Sequence, residues 1–132
     1  MDELQGIARF RIHEGKLDEF KRLSAQAREI VRAKDPGTLQ YEIYFSDDES
    51  ECIVLERFKD SEALIEHTAN LGDLSEAILS IVDVVHGELL GDPNPEIRAN
   101  LADMEVPQLF TPYLSMEGTT DEASAAGSAP TA

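Results

Sequence analysis

Cys52-Ile-Val-Leu-Glu-Arg-Phe-Lys-Asp-Ser-Glu-Ala-Leu-Ile-Glu-His67 reads as a strand that runs directly into a helix. Its first half, Cys52 to Phe58, is apolar and rich in β-branched residues. Asp60 and Ser61 offer oxygens to the free N–H groups of a helix start, and Glu62 places a negative charge in the first turn, where the helix dipole favours it. Inside the predicted helix, Leu64, His67, Thr68 and Leu71 recur at helical spacing on one stripe. His67 is the only ionisable side chain on that stripe.

Outward toward the N-terminus, residues 38–46 alternate, with Leu39, Tyr41, Ile43 and Phe45 on one face and Gln40, Glu42 and Tyr44 on the other. Ser46 to Ser50 is a polar hairpin loop joining this strand to the next. Residues 16–34 form a helix whose apolar stripe is Leu17, Phe20, Leu23, Ala27, Ile30 and Val31. Lys34-Asp35-Pro36-Gly37 stops it, because proline cannot continue a helix and glycine tolerates the turn. Residues 4–13 are a strand with Ala8, Phe10 and Ile12 on one side and Arg9, Arg11 and His13 on the other.

Toward the C-terminus, Asn70-Leu-Gly-Asp73 breaks the His67 helix, a short helical piece follows, and Val82 to Leu90 is a fourth strand. The order β-α-β-β-α-β predicts an α+β, ferredoxin-like antiparallel sheet with both helices on one face. Asn94 and Pro95 can start a further short helix, and Val106 to Leu114 is an extended arm in which Pro107 and Pro112 cannot donate to a ladder. The expected organisation is one domain over 1–114, with its core at 4–90 and a C-terminal helix and arm at 94–114. Residues 115–132, rich in Ala, Ser, Thr and acidic side chains, are expected to be a disordered tail.

In the strand from Cys52 to Phe58, Leu55 is expected to face the helices. Val54, Glu56 and Phe58 then join Arg9, Arg11, Glu42 and Tyr44 on an outer face. That face mixes aromatic groups with charges of both signs, which predicts packing against a second copy as a two-fold homodimer.

The 27 acidic and 11 basic residues give a formal net charge of −16. Such a charge repels phosphates and anionic lipid, so neither nucleic acid nor a membrane surface is expected as partner. The apolar runs are too short for a transmembrane helix, the first residues lack the pattern of a secretory signal, and a cytoplasmic location is expected. A single cysteine, Cys52, forms no internal disulfide and reads as an apolar filler. His13 and His86 stand near strand ends without a metal-ligand spacing, so no metal is expected.

Three pieces carry a family resemblance: Gly15-Lys-Leu-Asp-Glu-Phe20, Pro36-Gly-Thr-Leu-Gln-Tyr-Glu42 and Glu56-Arg-Phe-Lys-Asp-Ser-Glu-Ala-Leu-Ile-Glu-His67. In this order and spacing the chain, over roughly residues 4–90, resembles the antibiotic biosynthesis monooxygenases. These are small dimeric α+β barrels that include quinol monooxygenases. The resemblance implies a cofactor-independent monooxygenase that oxidises a small aromatic or quinol-type substrate with O2. It also implies His67 as catalytic base, with Tyr41, Phe10, Ile43 and Leu64 lining the substrate site.

Phe58 stands where the family usually has tryptophan. The second histidine that many members carry is missing from Leu71-Gly72-Asp73. The asparagine, histidine and tryptophan of heme-degrading relatives correspond here to Ala8, His67 and Ala77, which disfavours heme degradation. The alternative function is a non-catalytic ligand-binding or interaction domain on the same scaffold.

Overall fold

The alternation at the start of the chain becomes strand β1 (Leu4–Ile12), and the first apolar stripe becomes helix α1 (Leu17–Lys34). Strands β2 (Thr38–Phe45) and β3 (Glu51–Phe58) form the hairpin, and helix α2 (Ser61–Leu79) follows. Strand β4 (Val82–Leu90), helix α3 (Pro95–Leu101) and strand β5 (Gln108–Phe110) complete the main body. Two short strands, β6 (Leu114–Ser115) and β7 (Gly118–Thr119), pair as a terminal hairpin. This computed structural model describes residues 2–119, so most of the expected 115–132 tail lies outside the described residues.

The five main strands lie in the order β2-β3-β1-β4-β5, with α1 and α2 side by side on one face. The α+β arrangement with helices on one face matches the expectation. Two parts of that expectation are overturned. The sheet is mixed, because β5 runs parallel to β4. Among the described residues it is also open: β2 and β5 are its two edges, and they do not pair, so there is no barrel. The last strand has only three residues between Pro107 and Pro112, too short and too poor in donors to close five strands on themselves. The structure is that of one copy of the chain.

The facing of β3 also differs from the expectation. Cys52, Val54 and Phe58 are buried beneath the helices, and Glu56 shares their side. The register explains the parity. Phe58 pairs with Leu4 and Cys52 with Phe10, residues of the inward set of β1. Leu55 pairs with Ile7 and Glu42, on the outer face. In β2, Leu39 falls at a register shift between Thr38 and Gln40 and is exposed, while Tyr41, Ile43 and Phe45 keep the predicted inward side.

The core has two parts. Under α1 it is built on Ile12, Phe20, Leu23, Cys52, Val54, Ile81 and Val82. Under the start of α2 it is built on Leu4, Phe58, Ala63, Leu89 and Ile97, the last supplied by α3. Asp60 caps α2, its Oδ1 accepting from the Ala63 N–H at 2.8 Å. Within α2 the backbone leaves helical geometry at Gly72 (φ 43°, ψ −120°), a left-handed kink that glycine permits. No helix among the described residues is long and apolar enough to cross a membrane.

Candidate active site

His67 faces inward from the second turn of α2 and is buried, with its ring against Phe58 at 5.0 Å between centroids. The space it enters is fixed by the turn that ends α1. There, a Cβ added to Gly37 would stand 2.5 Å from the Ala63 Cβ, so only glycine lets this turn lie against α2. The close approach brings Asp35, the residue that ends α1, to the imidazole. Asp35 Oδ2 lies 2.7 Å from His67 Nδ1. The other Asp35 oxygen accepts from Asn70 Nδ2, whose amide also reaches the Lys34 carbonyl at 3.2 Å. On the other side of the ring, His67 Nε2 stands 2.7 Å from Glu56 Oε2.

Both ring nitrogens therefore face carboxylate oxygens. A neutral imidazole has one N–H and one lone pair, and the lone pair would meet an anion. The imidazolium, with two N–H donors, satisfies both partners. Burial alone pushes the His67 pKa down, but the hydrogen bond and charge of Glu56, and then those of Asp35, outweigh it and hold the pKa above its ordinary value. The array carries one positive and two negative charges. Side-chain exposure rises along it, from 1% at Asp35 through 7% at His67 to 22% at Glu56.

Tyr41 stands beside this array. It pairs in register with Glu56 across β2 and β3, and its ring centroid is 6.1 Å from that of His67. Burial, with the Glu56 charge adding to it, pushes its phenol pKa up, so Tyr41 keeps its proton. Its hydroxyl has no hydrogen-bond partner among the described residues. Tyr41 also lines a cleft of about 290 Å³ between α1 and β2, walled by Phe20, Ile43 and Phe45 and edged by Lys21 and Arg28. The Ser24 hydroxyl, in the same cleft, is buried without a partner among the described residues. His67 does not line the cleft; Tyr41 does.

Of the residues singled out in the sequence, the structure brings together His67 and Tyr41, and Tyr41 with Ile43. Phe10 packs against the α1 core and Leu64 against the α2 core, so these two do not share one wall. Asp35, Glu56 and Asn70 were missed. Asp35 sat inside a helix-stop signal, and Glu56 was assigned to the wrong face of β3. Cys52 is buried, and burial pushes its thiol up to about 11. His13 Nε2 lies 3.0 Å from Asp83 Oδ1 at the surface. Among the described residues no group of three or more His, Cys, Asp or Glu side chains is arranged to hold a metal ion.

The profile of the antibiotic biosynthesis monooxygenase family matches residues 6–72. Among solved structures, MupZ from Pseudomonas fluorescens is similar with a TM-score of 0.74 and 24% identity, over 88% of this chain and 94% of that one. SnoaB, a cofactor-independent oxygenase from Streptomyces nogalater, is similar with a TM-score of 0.58 and 18% identity, over 67% of this chain and 91% of that one. Rv0793 from Mycobacterium tuberculosis gives 0.60 and 22%, over 70% and 96% of the two chains. No curated protein matches the sequence. At these identities the structures speak for the fold.

Proposed function

The chain belongs to the antibiotic biosynthesis monooxygenase family, and from that premise we propose that it oxygenates a small aromatic or quinol-type substrate with O2, without an added cofactor. The observation that carries the reading is the Asp35–His67–Glu56 array beside Tyr41. It is a buried proton-handling system placed next to an apolar cleft that suits an aromatic ring. Tyr41 and Ile43 are the substrate contacts on β2, with Phe10 and Leu64 as more distant packing. His67, at the centre of the array, is the residue on which its charge and geometry depend.

In this reading the array accepts the substrate's hydroxyl proton. The electron-rich phenolate passes one electron to O2, and the two radicals join through a new C–O bond at a ring carbon that bears hydrogen. Loss of that hydrogen as a proton, with cleavage of the O–O bond, releases water and leaves a quinone. The substrate supplies all four electrons that O2 takes up, so no outside reductant is needed. The protein's part is to deprotonate, to exclude water and to place positive charge near the developing anion. The imidazolium, Lys21 and Arg28 are the cations at hand.

Oxygen uptake with a panel of quinols and hydroxylated polyaromatics tests the reading. Wild-type uptake is expected to fall about 100-fold or more in His67→Ala, and less in Tyr41→Phe. Uptake unchanged by His67→Ala would remove the array from the chemistry. The second reading, a binding domain, draws on two observations: both His67 nitrogens are occupied, and Tyr41 lines the cleft while His67 does not. No uptake with any substrate, together with a small molecule co-purifying with the protein in native mass spectrometry, would favour it.

The proposal includes a homodimer through the outer sheet face. There Tyr44 and Ile53 are exposed beside Arg9, Arg11 and Glu42. A monomer mass by light scattering at micromolar concentration would exclude it.

A further inference from the structure

The array is not symmetric, and its asymmetry says where a substrate can touch it. Asp35 is closed off: one oxygen holds His67, the other accepts from Asn70, and Thr38 Oγ1 approaches at 3.5 Å. His67 has no free nitrogen. Glu56 uses Oε2 for His67, and no partner among the described residues holds Oε1. Glu56 is also the most exposed of the three side chains.

What lies beside Glu56 is equally informative. The register places Tyr41, Glu56, Gly6 and Leu89 in one row across β2, β3, β1 and β4, on the side of the sheet that faces the helices. Tyr41 is a wall of the cleft. Gly6 is the gap in the row: a Cβ built there would meet nothing within 4 Å. On the central strand of a sheet, beneath packed helices, side chains normally fill such a position. Here the unfilled position stands directly across the β1–β3 ladder from Glu56, whose Oε1 has no partner among the described residues.

Resting on the oxygenase reading, we propose that Glu56 is the group that takes the substrate's hydroxyl proton, from a ring seated over Gly6, while His67 and Asp35 are positioning residues. The O–H bond of the substrate breaks and its proton forms an O–H bond on Glu56 Oε1. The imidazolium keeps both of its protons and remains as the cation beside the new phenolate. Glu56 later returns its proton as the O–O bond cleaves, completing the water. His67 thus acts through charge and orientation, and Asp35 fixes its ring through Nδ1.

The test combines turnover with the protonation state of His67. Wild-type protein labelled with 15N-histidine is expected to show both His67 nitrogens protonated at neutral pH. Glu56→Gln keeps size and shape but removes the base. Turnover should drop about 100-fold or more with KM little changed, and the His67 ring should lose protons at lower pH than in wild type. Glu56→Asp, which keeps the charge and withdraws the oxygen, should lose turnover while His67 stays doubly protonated. Gly6→Val, which fills the space over the row, should raise KM about tenfold or more without altering the His67 resonances.

Full turnover in folded Glu56→Gln, or a neutral His67 ring in wild type, would overturn the role of Glu56 and leave the oxygenase reading standing. Absence of oxygen uptake by wild type across the panel would overturn both.

Discussion

The two faces of this sheet each carry a three-member charge cluster, and the clusters are inverse in sign. Beneath the helices, one cation, His67, sits between two carboxylates, Asp35 and Glu56. On the outer face one carboxylate, Glu51, sits between two guanidinium groups. Arg9 lies 2.6 Å from it and Arg11 3.4 Å. The separations are similar, so Coulomb's law in a uniform medium would value the clusters alike. Their surroundings differ. The Arg9 and Arg11 side chains are 51% and 57% exposed, whereas His67 is 7% exposed. Water screens the outer cluster and lets its members part at little cost. The inner one has no such exit: remove one member and the others remain charged in a poorly solvated space.

The largest expected effect follows from breaking the inner cluster. His67→Ala leaves Asp35 and Glu56 facing one another without the cation, and should cost about 3–5 kcal/mol in urea unfolding. Replacing His67 and Asp35 together by leucine, with Glu56→Gln, removes the charges instead of orphaning them and should recover much of that loss. A triple variant no more stable than His67→Ala would mean that packing around the ring, including Phe58, matters more than its charge.

The next effect is a pH dependence that only the inner cluster should show. The folded-state pKa of His67 is raised, so the protonated ring favours the folded state. That contribution is complete below the unfolded value of about 6.5, and is lost as pH rises through the raised folded value. Thermal midpoints should therefore decline as pH climbs above neutrality, and the decline should vanish in His67→Leu. A midpoint equally pH-dependent in that variant would assign the effect to another group.

The contrast also marks what the sequence could reveal. The helical stripe from Leu17 to Val31 and the alternation in β1 and β2 made the element order legible, because burying one face requires those periods. The same stripe logic turned His67 inward. Its partners were harder to read. Glu56 breaks the apolar alternation of Cys52, Val54 and Phe58, and a charge on an inward parity looks like evidence for the opposite parity. Only the presence of a buried cation reverses that inference, and the cation comes from another element. Asp35 was hidden for a similar reason. Within Lys34-Asp35-Pro36-Gly37 it read only as part of a helix stop, yet the close approach at Gly37 buries it. The open sheet was not legible either. The facing of its edge strands depends on β5, a three-residue strand whose parallel pairing carries no sequence period.

The smallest effect belongs to the outer cluster, and it sharpens the comparison most cheaply. Glu51 accepts from Arg9 Nε at 2.9 Å as well as from its Nη2, and these contacts hold its carboxyl below the ordinary carboxylate range. A lowered pKa here signals a favourable contact, but with both arginines well exposed it converts poorly into folding stability. Glu51→Gln should shift the thermal midpoint by no more than a degree or two at low salt, and by less at 1 M salt, where the screening length falls to about 3 Å. The His67→Ala loss should persist at the same salt, since Asp35 and His67 are little exposed to dissolved ions. If salt erased both effects, the inner cluster would have to be far more hydrated than the exposures of Asp35 and His67 allow, and its doubly protonated ring would lose its physical basis.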